Sequence, residues 1–374
     1  MIETARDASR ARRRSETGVG PRPASARASD LRIRAVGRFD ALAAPGGGEI
    51  QLAATTAALA DLGYDARAWR PWDDDLGAGD VVHFFGSRPE FAPLIAAAQA
   101  AGARVAVSTI AWFDRRNAWR ESTSLVRRVS AACRYAVRAA CPSVPSWRRR
   151  QYHAADLLLP NSQAEAEQLM RLFEVPARKI RVVPNGADPR FAGAEPTLFR
   201  RRFGDRPFVL AVGRIEPRKN QLNLVRAMRG SALRLVVVGD VVPGHEAYAQ
   251  QCRRFADGDA LFLPGLAHDD PLLASAYAAC ACAALVGWYE TPGLAALEAA
   301  MTGAPIVVPA GGCAYEYFGP AAEYVVRGDP DEILAAVDRA VARGRDVLTA
   351  QMICDQFTWR RTAEITAEAY ATLR

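Results

Sequence analysis

From Leu31 onward, short apolar runs of strand length alternate with amphipathic runs of helix length, in two successive series. The first series predicts strands over residues 31–36, 81–85, 104–108, 157–159 and 181–183, separated by helices over 49–62, 89–101 and 163–173. A loop rich in Gly, Ala and Pro around 188–196 interrupts the pattern. The second series predicts strands over 208–212, 235–238, 261–263, 282–286, 305–308 and 323–326, with helices over 221–228, 272–279, 293–301 and 330–343. Strands that alternate with helices form parallel sheets joined by right-handed crossovers. That many strands exceed what one sheet holds comfortably. The expected fold is α/β: two Rossmann-like, doubly wound domains facing a central cleft, with ligands at the carboxyl ends of the strands. The expected divisions are a basic tail over 1–30, a first domain over 31–188, a second over 189–354 and a terminal helix over 355–374.

Half of the chain is apolar and a quarter charged, enough apolar material for two cores in a water-soluble protein. No apolar run approaches the ~20 residues needed to span a bilayer. The Arg-rich start lacks the apolar stretch of a signal peptide. The seven cysteines are scattered without a CxxC pair, which suits a reduced compartment rather than a disulfide framework or a zinc site. A cytoplasmic location is expected.

The net charge of +7 is unevenly spread. Arg6, Arg10, Arg12, Arg13, Arg14, Arg22 and Arg27 sit among Ser, Ala, Pro and Gly, a composition that favours disorder. A second basic region covers 115–150 and ends in Arg148, Arg149 and Arg150. Solvated helix faces account for such a region. Attraction to an anionic membrane surface, at its inner face, or to a phosphorylated acceptor also accounts for it. Nucleic acid is not an expected partner, because no recognition motif accompanies the charge.

Three loops carry candidate chemistry. Pro45-Gly46-Gly47-Gly48-Glu49 follows the first predicted strand and opens a helix, where glycines let a backbone approach a ligand and the helix N-terminus favours phosphate. Alone it is equally a flexible strand–helix turn, and it is neither GxGxxG nor a P-loop. Gly213 to Asn220 places Arg214 and Lys219 where a strand ends and a helix begins. Two cations there suit a diphosphate that gains charge as it leaves, although a solvated surface loop reads the same way. Trp288 to Met301 holds Glu290 and Glu298 eight positions apart, with a Pro-Gly turn between them. The first would stand on the loop and the second inside an apolar helix. A glycosidase-type acid and base is one reading of that pair. The helical placement favours another, in which Glu298 accepts hydrogen bonds from ligand hydroxyls. A third makes Glu290 a helix cap and Glu298 the partner of a neighbouring Arg.

Asp73-Asp74-Asp75 reads as a solvated turn rather than a metal cluster, and the four histidines show no ligand spacing. No metal is expected. His83 stands near a predicted strand end and is a candidate for the cleft wall, with a core histidine as the plainer alternative.

Together these elements resemble the GT-B glycosyltransferases of family 4, the group 1 glycosyltransferases, from about residue 31 to the end. Glu290 through Glu298 looks like the family's E-x7-E motif, and Gly213-Arg214 with Lys219-Asn220 like its basic diphosphate motif. Val183 to Asp188, Asn161-Ser162 and the glycine loop also fit. The resemblance implies a retaining, metal-independent transferase that moves a sugar from a nucleotide-diphosphate sugar to a glycan or lipid-linked acceptor, as in cell-surface polysaccharide biosynthesis. It implies no cofactor beyond that co-substrate. Glu298 would hold the ribose, and Arg214 and Lys219 the diphosphate. Gly293, Leu294, Gly47 and Gly48 would assist with backbone amides, and Glu290 would contact the sugar. The first domain would take the acceptor and the terminal helix would return to it. The sequence departs from the pattern in two places. The histidine common after the fourth strand is missing from Val107 to Asp114, so either Trp112 or Asp114 shapes that part of the site or the contact is dispensed with. Thr291-Pro292 replaces the more frequent Gly-Phe. An epimerase or phosphorylase on the same scaffold, or a non-catalytic nucleotide-sugar binder, are the alternatives.

Overall fold

The computed structural model describes residues 31–39, 46–116 and 124–373. The Arg-rich segment 1–30 and Pro45 lie outside the described residues. The first part of the chain forms β1 (Arg32–Val36), α1 (Gly47–Asp61), β2 (Asp65–Ala68), β3 (Asp80–Phe85), α2 (Ala92–Ala100), β4 (Arg104–Ser108), α3 (Leu125–Ala140), α4 (Trp147–Ala154), β5 (Leu157–Leu158) and α5 (Gln163–Phe173). The second forms α6 (Thr197–Phe203), β6 (Phe208–Val212), α7 (Gln221–Met228), β7 (Arg234–Val238), α8 (Glu246–Ala256), β8 (Ala260–Leu263), α9 (Pro271–Ala279), β9 (Cys282–Ala284), α10 (Leu294–Met301), β10 (Ile306–Pro309), α11 (Ala314–Phe318), β11 (Glu323–Val325), α12 (Pro330–Arg343) and α13 (Val347–Gln356). Helix α14 (Trp359–Ala371) follows.

The strands make two separate sheets, in the orders 2-1-3-4-5 and 11-10-9-6-7-8, and every pairing is parallel. Helices cover both faces, so the central strands are apolar along their length. All six residues of β3 are buried, as are four of five in β6 and in β7. In each sheet the winding reverses beside the first strand, between β1 and β3 and between β6 and β9. Loops that leave a sheet at such a point part to opposite faces and open a crevice.

Two expectations about elements fail for physical reasons. Residues 181–183 run beside β5 and donate amides to Leu158 and Pro160, but Leu158 and Ile180 make an isolated bridge rather than a ladder. β2 is a half-exposed edge strand whose sequence, Asp-Ala-Arg-Ala, has no apolar run to announce it. Its neighbourhood also changes the reading of Asp74, whose carboxylate is buried against the Arg67 guanidinium and accepts from the Arg70 amide at 2.7 Å.

The chain crosses between the two sheets twice, and the crossings lie side by side. The Ala187 amide donates to the Phe357 carbonyl at 2.9 Å, and Ala187 bridges Thr358. A Cβ at Gly186 would lie 2.1 Å from the Thr358 carbonyl carbon, so only glycine allows this approach. Beyond it, α14 packs on α1.

His83 belongs to this joint and not to the cleft. β3 continues to Phe85, so His83 is interior to the strand and its side chain is buried under α14. Its Nδ1 is hydrogen-bonded to the Tyr370 hydroxyl at 2.7 Å and its Nε2 to Ser108 Oγ at 2.9 Å. Burial pushes its pKa down to about 3, so the ring is neutral. Replacing Tyr370 with Phe strands a buried ring nitrogen, which costs about 1–3 kcal/mol. Urea denaturation should show that loss, and an unchanged midpoint would refute the anchoring role.

Candidate active site

Loops from the carboxyl ends of β1, β4, β6, β7, β8 and β9 converge on a cleft of about 770 Å³ between the sheets. That volume suits a ligand of nucleotide-sugar size. From the first domain, Gly46 caps α1, and its amide donates to Glu49 Oε2 at 2.8 Å while Arg38 holds Oε1 at 2.7 Å. A Cβ at Gly46 would stand 3.4 Å from the Arg214 guanidinium, and one at Gly47 would stand 3.6 Å from Leu294 Cδ1. The glycine turn is therefore already pressed against the opposite domain.

The loop after β6 brings three cations to the cleft, Arg214, Arg218 and Lys219. Glu216 Oε1 accepts from Arg218 at 3.1 Å and from Arg214 at 3.5 Å. Lys219 Nζ donates to Glu290 Oε1 at 2.5 Å. Burial works against the Lys219 charge and lowers its pKa, although Glu290 opposes the shift. Burial also works against Arg218, but Glu290, Tyr289 and Glu216 outweigh it and hold its pKa above the ordinary value. Sequence reading singled out Arg214 and Lys219 and passed over Arg218, although it sits in the same eight-residue loop.

Glu290 is buried, and its backbone is fastened on both sides. Its amide donates to the Gly311 carbonyl at 3.2 Å, and its carbonyl accepts from the Cys313 amide at 3.1 Å. A turn then leads into α10 through Gly293, whose φ of +88° is natural only to glycine. Gly293, Leu294 and Ala295 line the cleft, so α10 presents there the N-terminal amides that no carbonyl within the helix can take.

Glu298 stands one turn further in and is also buried. Its Oε2 accepts from the Tyr277 hydroxyl at 2.7 Å, and its Oε1 is hydrogen-bonded to His268 Nε2 at 3.1 Å. His268 is in turn held by Arg190, which donates to its carbonyl, and by the edge of Phe191. The two glutamates thus have different partners: Glu290 meets the cation loop, and Glu298 meets a neutral hydroxyl and an imidazole. No acid–base pairing of the two is implied by these contacts. His268 and Tyr277 escaped the sequence reading. The position of His268 just beyond a predicted strand's carboxyl end was the available signal.

Trp112 and Asp114 do not line this cleft. Asp114 accepts from the Arg116 amide at 2.7 Å in a surface turn. Ile110, from the same loop, does line it, and a Cβ at Gly48 would lie 3.7 Å from its Cδ1. Its φ is +44°, a conformation costly for a β-branched residue. The buried Glu165 carboxylate holds it there by accepting from Thr109 Oγ1 at 2.5 Å and from the Ala111 amide at 2.7 Å. Burial pushes the Glu165 pKa up to about 7, against the donors that favour its charge.

Two family models cover most of this architecture. The model of glycosyltransferase family 4 matches residues 70–191, and that of glycosyl transferases group 1 matches 206–343. The chain belongs to the group 1, family 4 glycosyltransferases. Curated relatives include D-inositol 3-phosphate glycosyltransferases. The one from Stackebrandtia nassauensis is 32% identical over 58% of this chain and 54% of its own length. The one from Geodermatophilus obscurus is 35% identical over 58% of this chain and 52% of its own. The chain thus spans about half the length of the curated relatives it matches. Among solved structures, sucrose-phosphate synthase from Thermosynechococcus elongatus superposes with a TM-score of 0.70 at 19% identity, covering 92% of this chain and 99% of that one. Anabaena Alr3699/HepE in complex with UDP and glucose does so with a TM-score of 0.57 at 18% identity, over 92% and 99%. Such likenesses establish the two-domain α/β fold.

Proposed function

We propose that this glycosyltransferase moves a sugar from a nucleotide-diphosphate sugar to a hydroxyl acceptor with retention of configuration and without a metal. The observation that carries the reading is the convergence of Arg214, Arg218, Lys219 and the α10 N-terminus on one cleft that also holds Glu290 and Glu298. Glu298, with lone pairs to spare beyond Tyr277 and His268, holds the ribose hydroxyls. Arg214, Lys219 and the amides at Gly293 and Leu294 take the diphosphate, with Gly47 and Gly48 closing on it from the other side. Glu290 holds the sugar. The anomeric carbon forms a bond to the acceptor oxygen as its bond to phosphate breaks, and the leaving diphosphate takes the acceptor's proton. Its new negative charge is what the cation loop stabilises.

A structural relative bound to UDP and glucose supports a UDP-sugar as the first donor to try. For the acceptor, the names of the curated relatives favour an inositol phosphate. A lipid-linked glycan of cell-surface polysaccharide assembly, reached from the cytoplasmic side by peripheral contact with an anionic membrane, is the other acceptor reading. Calorimetry with UDP, GDP and ADP should show binding of one of them. Glu298→Gln should weaken that binding by about ten- to a hundredfold, the equivalent of roughly 1.5–3 kcal/mol for a lost charged hydrogen bond. Unaltered affinity in the variant would remove Glu298 from the donor site. Nucleotide release with inositol 3-phosphate or with a polyprenyl-linked sugar then separates the acceptors. Donor isomerisation without any acceptor would sink the transferase reading itself.

A further inference from the structure

Helix α3 packs with the wrong side inward. It leans on α5, and its partly covered residues include Arg128, Tyr135 and Arg138. Ala131 and Ala132 are partly covered on that side too, but the larger aliphatic residues face away. Leu125, Val126, Val129 and Val137 are 65%, 78%, 46% and 53% exposed, and Cys133 and Ala136 are exposed with them. At 3.6 residues per turn these six positions fall within an arc of roughly 120°. An apolar stripe of that width ordinarily faces a core. Here no residue of the helix is buried.

The charge on the helix narrows what can cover this stripe. Its sequence contains Arg127, Arg128, Arg134 and Arg138 and no Asp or Glu. Arg138 is occupied with the Pro142 and Val144 carbonyls, and Arg134 with Ser130 Oγ. Among the described residues, neither Arg127 nor Arg134 has an ion-pair partner, and both lie beyond one edge of the apolar arc, Arg134 by roughly 60° and Arg127 by roughly 80°. A second copy of the chain laid on this face would bring like charges together. The stripe is aliphatic and lacks the aromatic anchors that give protein partners their affinity. An aliphatic arc bordered by arginine is the pattern of a helix lying in the plane of an anionic bilayer surface, its apolar side among the acyl chains and its guanidinium groups at the phosphates.

We propose that α3 docks this glycosyltransferase, through Val126, Val129 and their neighbours, onto an anionic lipid surface. The stripe is separate from the cleft, so the proposal stands or fails apart from the donor reading. The test floats the full-length protein with vesicles of phosphatidylcholine containing roughly one-third phosphatidylglycerol, in about 0.15 M salt, where charge alone is largely screened. The expected result is binding that drops roughly tenfold or more in Val126→Asp/Val129→Asp and partly in Val126→Ser/Val129→Ser. Nucleotide affinity unchanged in both variants reports an intact fold. A bimane label on Cys133, with Cys141→Ser to remove the other exposed thiol of this region, should shift to the blue on binding. Failure of the parent protein to float, or equal flotation of parent and Asp variant, would overturn the proposal. So would a parent that dimerises without lipid and an Asp variant that does not, which would make the face a contact between copies.

Discussion

Replacing Lys219 with Met should lower the turnover of sugar transfer by roughly 10²–10³-fold while changing the apparent donor affinity little. The expected split follows from the geometry. Arg214 and Arg218 remain at the cleft to bind the diphosphate in the ground state. What is lost is the ammonium 2.5 Å from Glu290, in a partly buried site where charge that develops on the leaving group is poorly screened. The substitution also strips Glu290 of its nearest cation, and an unpaired buried carboxylate could itself disturb the site. The double variant Lys219→Met/Glu290→Gln separates these causes. If the two residues form only a structural ion pair, neutralising both restores turnover. If Lys219 serves the leaving diphosphate and Glu290 the sugar, the double variant is no faster than the single. Steady-state kinetics of nucleotide release distinguishes the outcomes.

Gly312→Ala should lower stability by about 3 kcal/mol, the sum of a disfavoured left-handed residue and an overpacked contact. Gly312 has φ = +103°, and a Cβ there would lie 2.0 Å from the Glu290 carbonyl oxygen. It also bridges Glu290 through the backbone. The alanine can be accommodated only if the Glu290 segment moves. Loss of transfer should therefore exceed loss of nucleotide binding, because Glu298 is anchored elsewhere, by Tyr277 and His268. Denaturation and nucleotide calorimetry on the same variant test both halves. A stable variant with full turnover would show that the position of Glu290 is not critical.

The strands that sequence revealed are mostly those with a continuous apolar run, including the half-exposed edge strand β8. β4 and β6 have the bounds that the sequence predicts. β2 was illegible because Asp-Ala-Arg-Ala has no such run, and α3 because its arginines dominate the reading. Within the site, Glu290 and Glu298 were legible because spacing along one strand–turn–helix segment sets their geometry. His268 and Tyr277 were not, since they reach Glu298 from 30 and 21 residues away and only the packed sheet brings them together. Ile110 was invisible for a different reason. Its place at the cleft depends on a left-handed backbone that nothing in an isoleucine announces and that a distant carboxylate, Glu165, holds.

The paired crossings at Ala187 and Thr358 bear on how such a molecule can move. One strand of chain between two bodies is a tether and permits any motion within its reach. Two strands hydrogen-bonded side by side, with Gly186 lying directly against the Thr358 backbone, act as an axle. Sliding one body past the other would break the pairing, whereas rotation about it leaves the pairing intact. Any path that carries Gly47 away from Leu294 by such a rotation is an arc of fixed radius, and its reversal returns the two walls of the cleft to the same register.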